Sequence, residues 1–137
     1  MLNTALILAV VATGVASQYG PGRMESNIAI RQAGLTSKNL PHTLPAVHGY
    51  VAGRYAEDIG KIVYIRPTEC ADCRFERFLI ADCSGSAETL EWMLDGNILF
   101  EIDYNSVLRW EGLLDRNLIE RGVKIEVAIE NRGFSYE

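Results

Sequence analysis

The sequence predicts a small, mainly β protein: a six-stranded barrel of short strands carrying one or two short helices. Three observations point to it. Lys61–Arg66 (KIVYIR) is a β-branched run stopped by Pro67. Residues 123–130 alternate, with Val123, Ile125, Val127 and Ile129 on one face and Lys124, Glu126 and Glu130 on the other. Gly and Pro turns punctuate the chain between such runs, which suits many short strands better than a few long helices.

The elements follow in order. Ala5–Ala12 (ALILAVVA), with Gly14-Val15-Ala16 behind it, reads in two ways. It is the apolar core of an export signal with a small-residue cleavage site before Ser17, or it is the first strand or helix of the domain. The expectation carried forward is an export signal over residues 1–16, with the first strand as the alternative. The domain itself spans residues 15–130. Residues 24–49 contain Gly34, Pro41, Pro45 and Gly49 and read as a long loop, with a short strand at Asn27–Arg31. Loops of this length often line functional sites, and His42 and His48 both lie here.

Gly49–Ala56 is a strand weakened by Gly53. Phe75–Asp82 returns from the Thr68–Arg74 loop and pairs with Lys61–Arg66 as a hairpin. Ser84-Gly85-Ser86 supplies helix caps, Glu88 falls in the first turn, and Leu90, Met93 and Leu94 form one apolar face. Gly96 fits the C′ position that ends this helix. Trp92 lies off the stripe and is read as a flank of the core rather than a sugar platform. Ile98, Phe100 and Ile102 alternate with Leu99, Glu101 and Asp103 in the next strand. Asn105 or Ser106 caps a second short helix through Trp110. Residues 111–121 are a polar connection anchored by Leu113, Leu114, Leu118 and Ile119, and residues 131–137 are a flexible tail.

Composition removes several classes of function. The net charge of −5 argues against a nucleic-acid surface, which needs a clustered basic face. No apolar run is long enough to span a bilayer. There is no P-loop, no G-x-G-x-x-G after a strand, no G-x-S-x-G and no H-E-x-x-H. Cys70 and Cys73 form a C-x-x-C in a turn beside Glu69 and Asp72, whose charges raise a thiol pKa, so a redox dithiol is disfavoured. Neither histidine stands at a zinc-motif spacing from these cysteines. No metal and no cofactor are expected.

What remains is a pair of carboxylates. Asp82 and Asp103 each end an apolar strand, where a side chain is held rigidly and still faces a groove. Such a position suits acid chemistry or sugar binding. It equally suits a turn-forming Asp with no chemical role.

Four segments, in order, resemble the double-psi β-barrel superfamily of the rare lipoprotein A group, expansins and barwin-like domains. They are Ala16-Ser17-Gln18-Tyr19-Gly20, His42-Thr43-Leu44-Pro45, Phe78-Leu79-Ile80-Ala81-Asp82-Cys83-Ser84-Gly85, and Ile102-Asp103-Tyr104-Asn105-Ser106, followed by Gly122–Val127 as the final strand. Cys83-Ser84-Gly85 stands where that group has Arg-Gly-Pro, and the His motif is one residue shorter. The resemblance implies a six-stranded barrel with a groove for a polysaccharide, peptidoglycan in the bacterial members, and a secreted or cell-envelope location. It assigns His42, Asp82 and Asp103 to the groove and Tyr19 to its floor. Tyr19, Gly20 and Tyr104 are the substrate-binding candidates.

Two functions of different class follow. One is lytic transglycosylase-like cleavage, with Asp103 as the acid and Asp82 as the supporting carboxylate; a single acid/base suffices because the sugar's own hydroxyl attacks. The other is a non-catalytic barrel that binds a glycan or a protein, as a wall-loosening module or a phage component. Convergence of Asp82 and Asp103 in one open groove discriminates between them.

Overall fold

The computed structural model describes residues 7–20, 23–115 and 122–130. Six strands close into a barrel: β1 (Leu8–Gln18), β2 (Gly49–Gly53), β3 (Ile62–Pro67), β4 (Glu76–Cys83), β5 (Ile98–Ile102) and β6 (Val123–Glu130). Their order around the barrel is β1-β5-β2-β4-β3-β6. β1 runs parallel to β5, and β2 runs parallel to β4; the other neighbours are antiparallel. Among the described residues three α-helices are added, α1 (Arg23–Gln32), α2 (Ala87–Asp95) and α3 (Tyr104–Leu114), with a short 3-10 helix at Ala56–Asp58. The barrel class agrees with the sequence, with one helix more than expected.

The extra helix is α1, which replaces the predicted short strand and the start of the predicted loop; residues 33–48 remain a loop, as expected. Met24 and Ile28 are its buried anchors, one helical turn apart, and Asn27 and Arg31 share that side of the helix. This i, i+3, i+4, i+7 set is a helical face with polar members, so an apolar count does not find it.

The apolar segment near the N-terminus belongs to the barrel from Leu8 onwards. β1 pairs with β6 from Leu8 to Ala16 and with β5 from Val15 to Gln18. Ala16, placed at the predicted cleavage site, is buried in the core. Cleavage there would strip the barrel of most of one strand. Residues 1–6, residues 21–22, residues 116–121 of the expected polar connection and the expected tail 131–137 lie outside the described residues.

The β3–β4 hairpin forms as expected, and Cys70 and Cys73 in its loop are joined by a disulfide. Cys83 is a free thiol. α2 is capped by Ser86, whose Oγ accepts from the Thr89 N–H at 3.1 Å. Gly96 is the C-cap with φ −88°, and the left-handed residue beyond it is Asn97. Met93 is the buried anchor of α2, while Leu94 is exposed. In β6 the alternation stops at its end: Val127 and Ala128 are both buried, and Ile129 is 42% exposed. The change sits opposite a β-bulge in β1 between Val10 and Ala12. The core gathers Phe78, Ile65, Leu79, Ile102 and Ile125 from the barrel with Trp110 from α3, whose ring meets Phe78 edge-on at 6.0 Å.

Candidate ligand cleft between the first and second helices

A polar cleft of about 440 Å3 opens between α1, the β4–α2 turn and β5. Tyr19 and Gly20 reach it from the end of β1, Asn27 and Arg31 from α1, and Asp82 from β4. Cys83, Ser84, Gly85, Thr89 and Glu101 complete it. Strand register explains the placement of the acids. Asp82 lies opposite Ala52 on one side of β2, and Glu101 lies opposite Ala52 on the other. Residues in lateral register project to the same face of a sheet, so both carboxylates reach the cleft from backbones about 10 Å apart.

Asp82 is 8% exposed and anchors a network. Its Oδ2 accepts from the Tyr19 hydroxyl at 2.6 Å and from Asn27 Nδ2 at 3.0 Å. Its Oδ1 accepts from Arg31 Nη2 at 2.8 Å. Asn27 also donates to the Tyr19 hydroxyl oxygen. The Arg31 guanidinium is fixed from behind, donating through Nη1 to Thr36 Oγ1 at 3.2 Å and to the Lys38 carbonyl at 2.8 Å. Burial, then the hydrogen bond to Asp82 and its charge, push the Tyr19 phenol well above its ordinary pKa. The group therefore stays a hydrogen-bond donor. Burial likewise raises the Cys83 thiol, with Asp82 adding to the rise and Arg31 opposing it. That thiol is not an activated nucleophile.

Asp103 is placed elsewhere. It follows β5 on the far side of β2 from Asp82, and it holds the N-cap position of α3. Its N–H donates to the Tyr50 carbonyl at 3.0 Å, and its Oδ1 accepts from the Tyr50 N–H at 3.2 Å. Burial raises its carboxyl pKa; the Ser106 hydroxyl, the Tyr50 N–H and Arg109 pull the other way without cancelling the rise. Beside it, Glu76 accepts from Arg109 Nη2 at 2.6 Å and from Trp110 Nε1 at 3.0 Å.

Of the six residues expected from sequence, the cleft brings together Tyr19, Gly20 and Asp82. Asp103, Tyr104 and His42 do not line it. His42 is exposed, and its carbonyl accepts from Gln32 Nε2 at 2.9 Å. Sequence reasoning missed Asn27 and Arg31, whose i, i+4 spacing was the available signal, and Glu101, which its strand alternation places opposite Phe100. Among the described residues, no cluster of three His, Cys, Asp or Glu side chains could hold a metal ion, and no helix is long and apolar enough to cross a membrane.

Compared with protein-family models, with curated proteins and with solved structures, the chain matches none.

Proposed function

We propose that this chain is a non-catalytic, glycan-binding β-barrel acting at the cell wall, and that the glycan lies in the cleft around Asp82. One observation carries the reading. Asp82 has its oxygens engaged by Tyr19, Asn27 and Arg31 in the cleft, while Asp103 lies outside the cleft with its carboxylate held by the Tyr50 N–H. A rigid set of amide, guanidinium, hydroxyl and carboxylate groups suits the hydroxyls of a sugar, because each hydroxyl both donates and accepts. The four-segment resemblance to double-psi barrels points to the same ligand class, with peptidoglycan as its bacterial form. The Cys70–Cys73 disulfide suits an oxidising compartment outside the cytoplasm.

The raised carboxyl pKa of Asp103 favours a second reading, in which it is the acid of a lytic transglycosylase. One experiment separates them. Purified peptidoglycan is incubated with wild type, Asp103→Asn and Asn27→Ala, the soluble products are read by mass spectrometry, and the pellet is assayed for bound protein. The binding reading expects co-sedimentation without new products, reduced in Asn27→Ala and retained in Asp103→Asn. Anhydro-sugar products that disappear in Asp103→Asn would establish cleavage instead.

A further inference from the structure

We infer that Trp92 forms a second sugar-ring subsite, one helical turn from the cleft, and that an uncharged oligosaccharide spans both. The inference rests on the glycan reading of the cleft. α2 connects the two places. Thr89 faces the cleft, and Trp92 follows it at i+3 beside a second, shallow depression of about 560 Å3. Residues so spaced lie about 5–6 Å apart on one helix face, close to the length of a pyranose ring.

Trp92 is 49% exposed, whereas Met93 is the fully buried residue of α2. A half-exposed indole lining a depression beside carboxylates suits a sugar. The ring packs against the C–H face of a sugar, and neighbouring oxygens accept hydrogen bonds from its hydroxyls. Glu88, Glu91 and Asp95 line the same depression.

Charge selects the ligand. Glu88, Glu91 and Asp95 surround Trp92, and Glu101 lines the cleft, where the Arg31 guanidinium is already paired with Asp82. A polyuronate would meet repulsion along the whole path, and a neutral chain would not. A cationic peptide would match the charge near Trp92, yet it has no use for the hydroxyl-matching groups Asn27, Ser84 and Thr89.

The test uses intrinsic fluorescence. The sequence has two tryptophans, and Trp110 is fully buried, so a ligand-induced change in emission reports on Trp92. Chitobiose, chitohexaose, oligogalacturonate and oligolysine are titrated into wild type, Trp92→Ala and Asn27→Ala, with calorimetry as a second readout. Chitohexaose is expected to shift the wild-type emission and to bind about tenfold more weakly to Trp92→Ala. Chitobiose, which fills the cleft alone, is expected to bind both equally, and Asn27→Ala to weaken both sugars. Equal chitohexaose binding to wild type and Trp92→Ala would overturn the subsite and leave the cleft reading standing. Tighter binding of oligogalacturonate or oligolysine than of chitohexaose would overturn the uncharged-glycan assignment. Absence of sugar binding by every protein would overturn both readings.

Discussion

Tyr19 and Asp82, 63 residues apart in sequence, meet in a 2.6 Å hydrogen bond in which the phenol donates to the carboxylate. The bond ties the end of β1 to the end of β4, strands that are not neighbours in the barrel. Asn27 and Arg31 of α1 close on the same carboxylate, so one residue fastens two strands and a helix. The cleft is the open side of this fastening.

Tyr19→Phe keeps the ring and removes the hydroxyl. Asp82 then loses one donor and Asn27 loses one acceptor. A loss of about 1–2 kcal/mol in unfolding free energy is expected from urea titration, with the denaturant slope unchanged. Asp82→Ala should cost more, about 3 kcal/mol, because it leaves the Arg31 guanidinium without its counter-charge in a largely buried place.

Gly49 has no room for a side chain. A Cβ there would fall 2.2 Å from Ser106 Oγ and 2.7 Å from Asp103 Oδ1. Gly49→Ala must push the Asp103 and Ser106 side chains away from β2, at a cost of about 1–3 kcal/mol or more. Thermal unfolding would show it, and Ser106→Ala combined with Gly49→Ala should recover part of the loss.

The two carboxylates beside α3 respond to pH in opposite directions. Asp103 has its folded pKa raised above the ordinary 3.8, so the stability linked to it is present below that value and is lost as pH rises through the folded pKa. Glu76 has its folded pKa lowered below the ordinary 4.5; although burial alone would raise it, the Arg109 and Trp110 hydrogen bonds prevail. Its contribution is present above 4.5 and is lost as pH falls through the folded pKa. At pH 7, Asp103→Asn should therefore unfold no more easily than wild type, whereas Glu76→Gln should be less stable. Both differences should shift as pH falls below about 4.5, Asp103→Asn losing ground and Glu76→Gln recovering it. Urea unfolding at pH 7 and pH 4 measures this directly.

The Cys70–Cys73 disulfide closes a loop of sequence separation 3. So short a loop removes little entropy from the unfolded chain, about 2 kcal/mol in the chain-entropy account. Reduction by dithiothreitol should lower the melting temperature by several degrees and leave the barrel folded; complete unfolding on reduction would show that the hairpin loop holds far more of the stability.

The strands were legible because β-branched runs and alternation report directly on a half-buried sheet. Lys61–Arg66 and Val123–Val127 needed no tertiary information. α1 was not legible as a helix, because Met24 and Ile28 are its only buried apolar anchors and its other inward residues, Asn27 and Arg31, serve Asp82. That polar face has meaning only once β4 is beside it. The candidate site was legible in part for the same reason. Tyr19 and Asp82 stood in recognisable local motifs, whereas Glu101 joins them through its register with Ala52 across strand order β5-β2-β4, which no local pattern encodes. Asp103 was drawn into the site by its own motif, and the structure places it outside the cleft at the start of α3, its carboxylate accepting from the Tyr50 N–H. The β1 segment was ambiguous because an apolar stretch of small residues serves a signal core and a barrel strand equally well.

On the proposed function, the ligand occupies the Tyr19–Asp82 cleft and not the surroundings of Asp103. Titration of 15N-labelled protein with chitohexaose, followed by two-dimensional NMR, tests it residue by residue. The account predicts amide shifts at Tyr19, Gly20, Asn27, Ser84, Thr89 and Glu101, with Tyr50, Asp103 and Ser106 unmoved. Shifts centred on Tyr50, Asp103 and Ser106 with the cleft silent would contradict it.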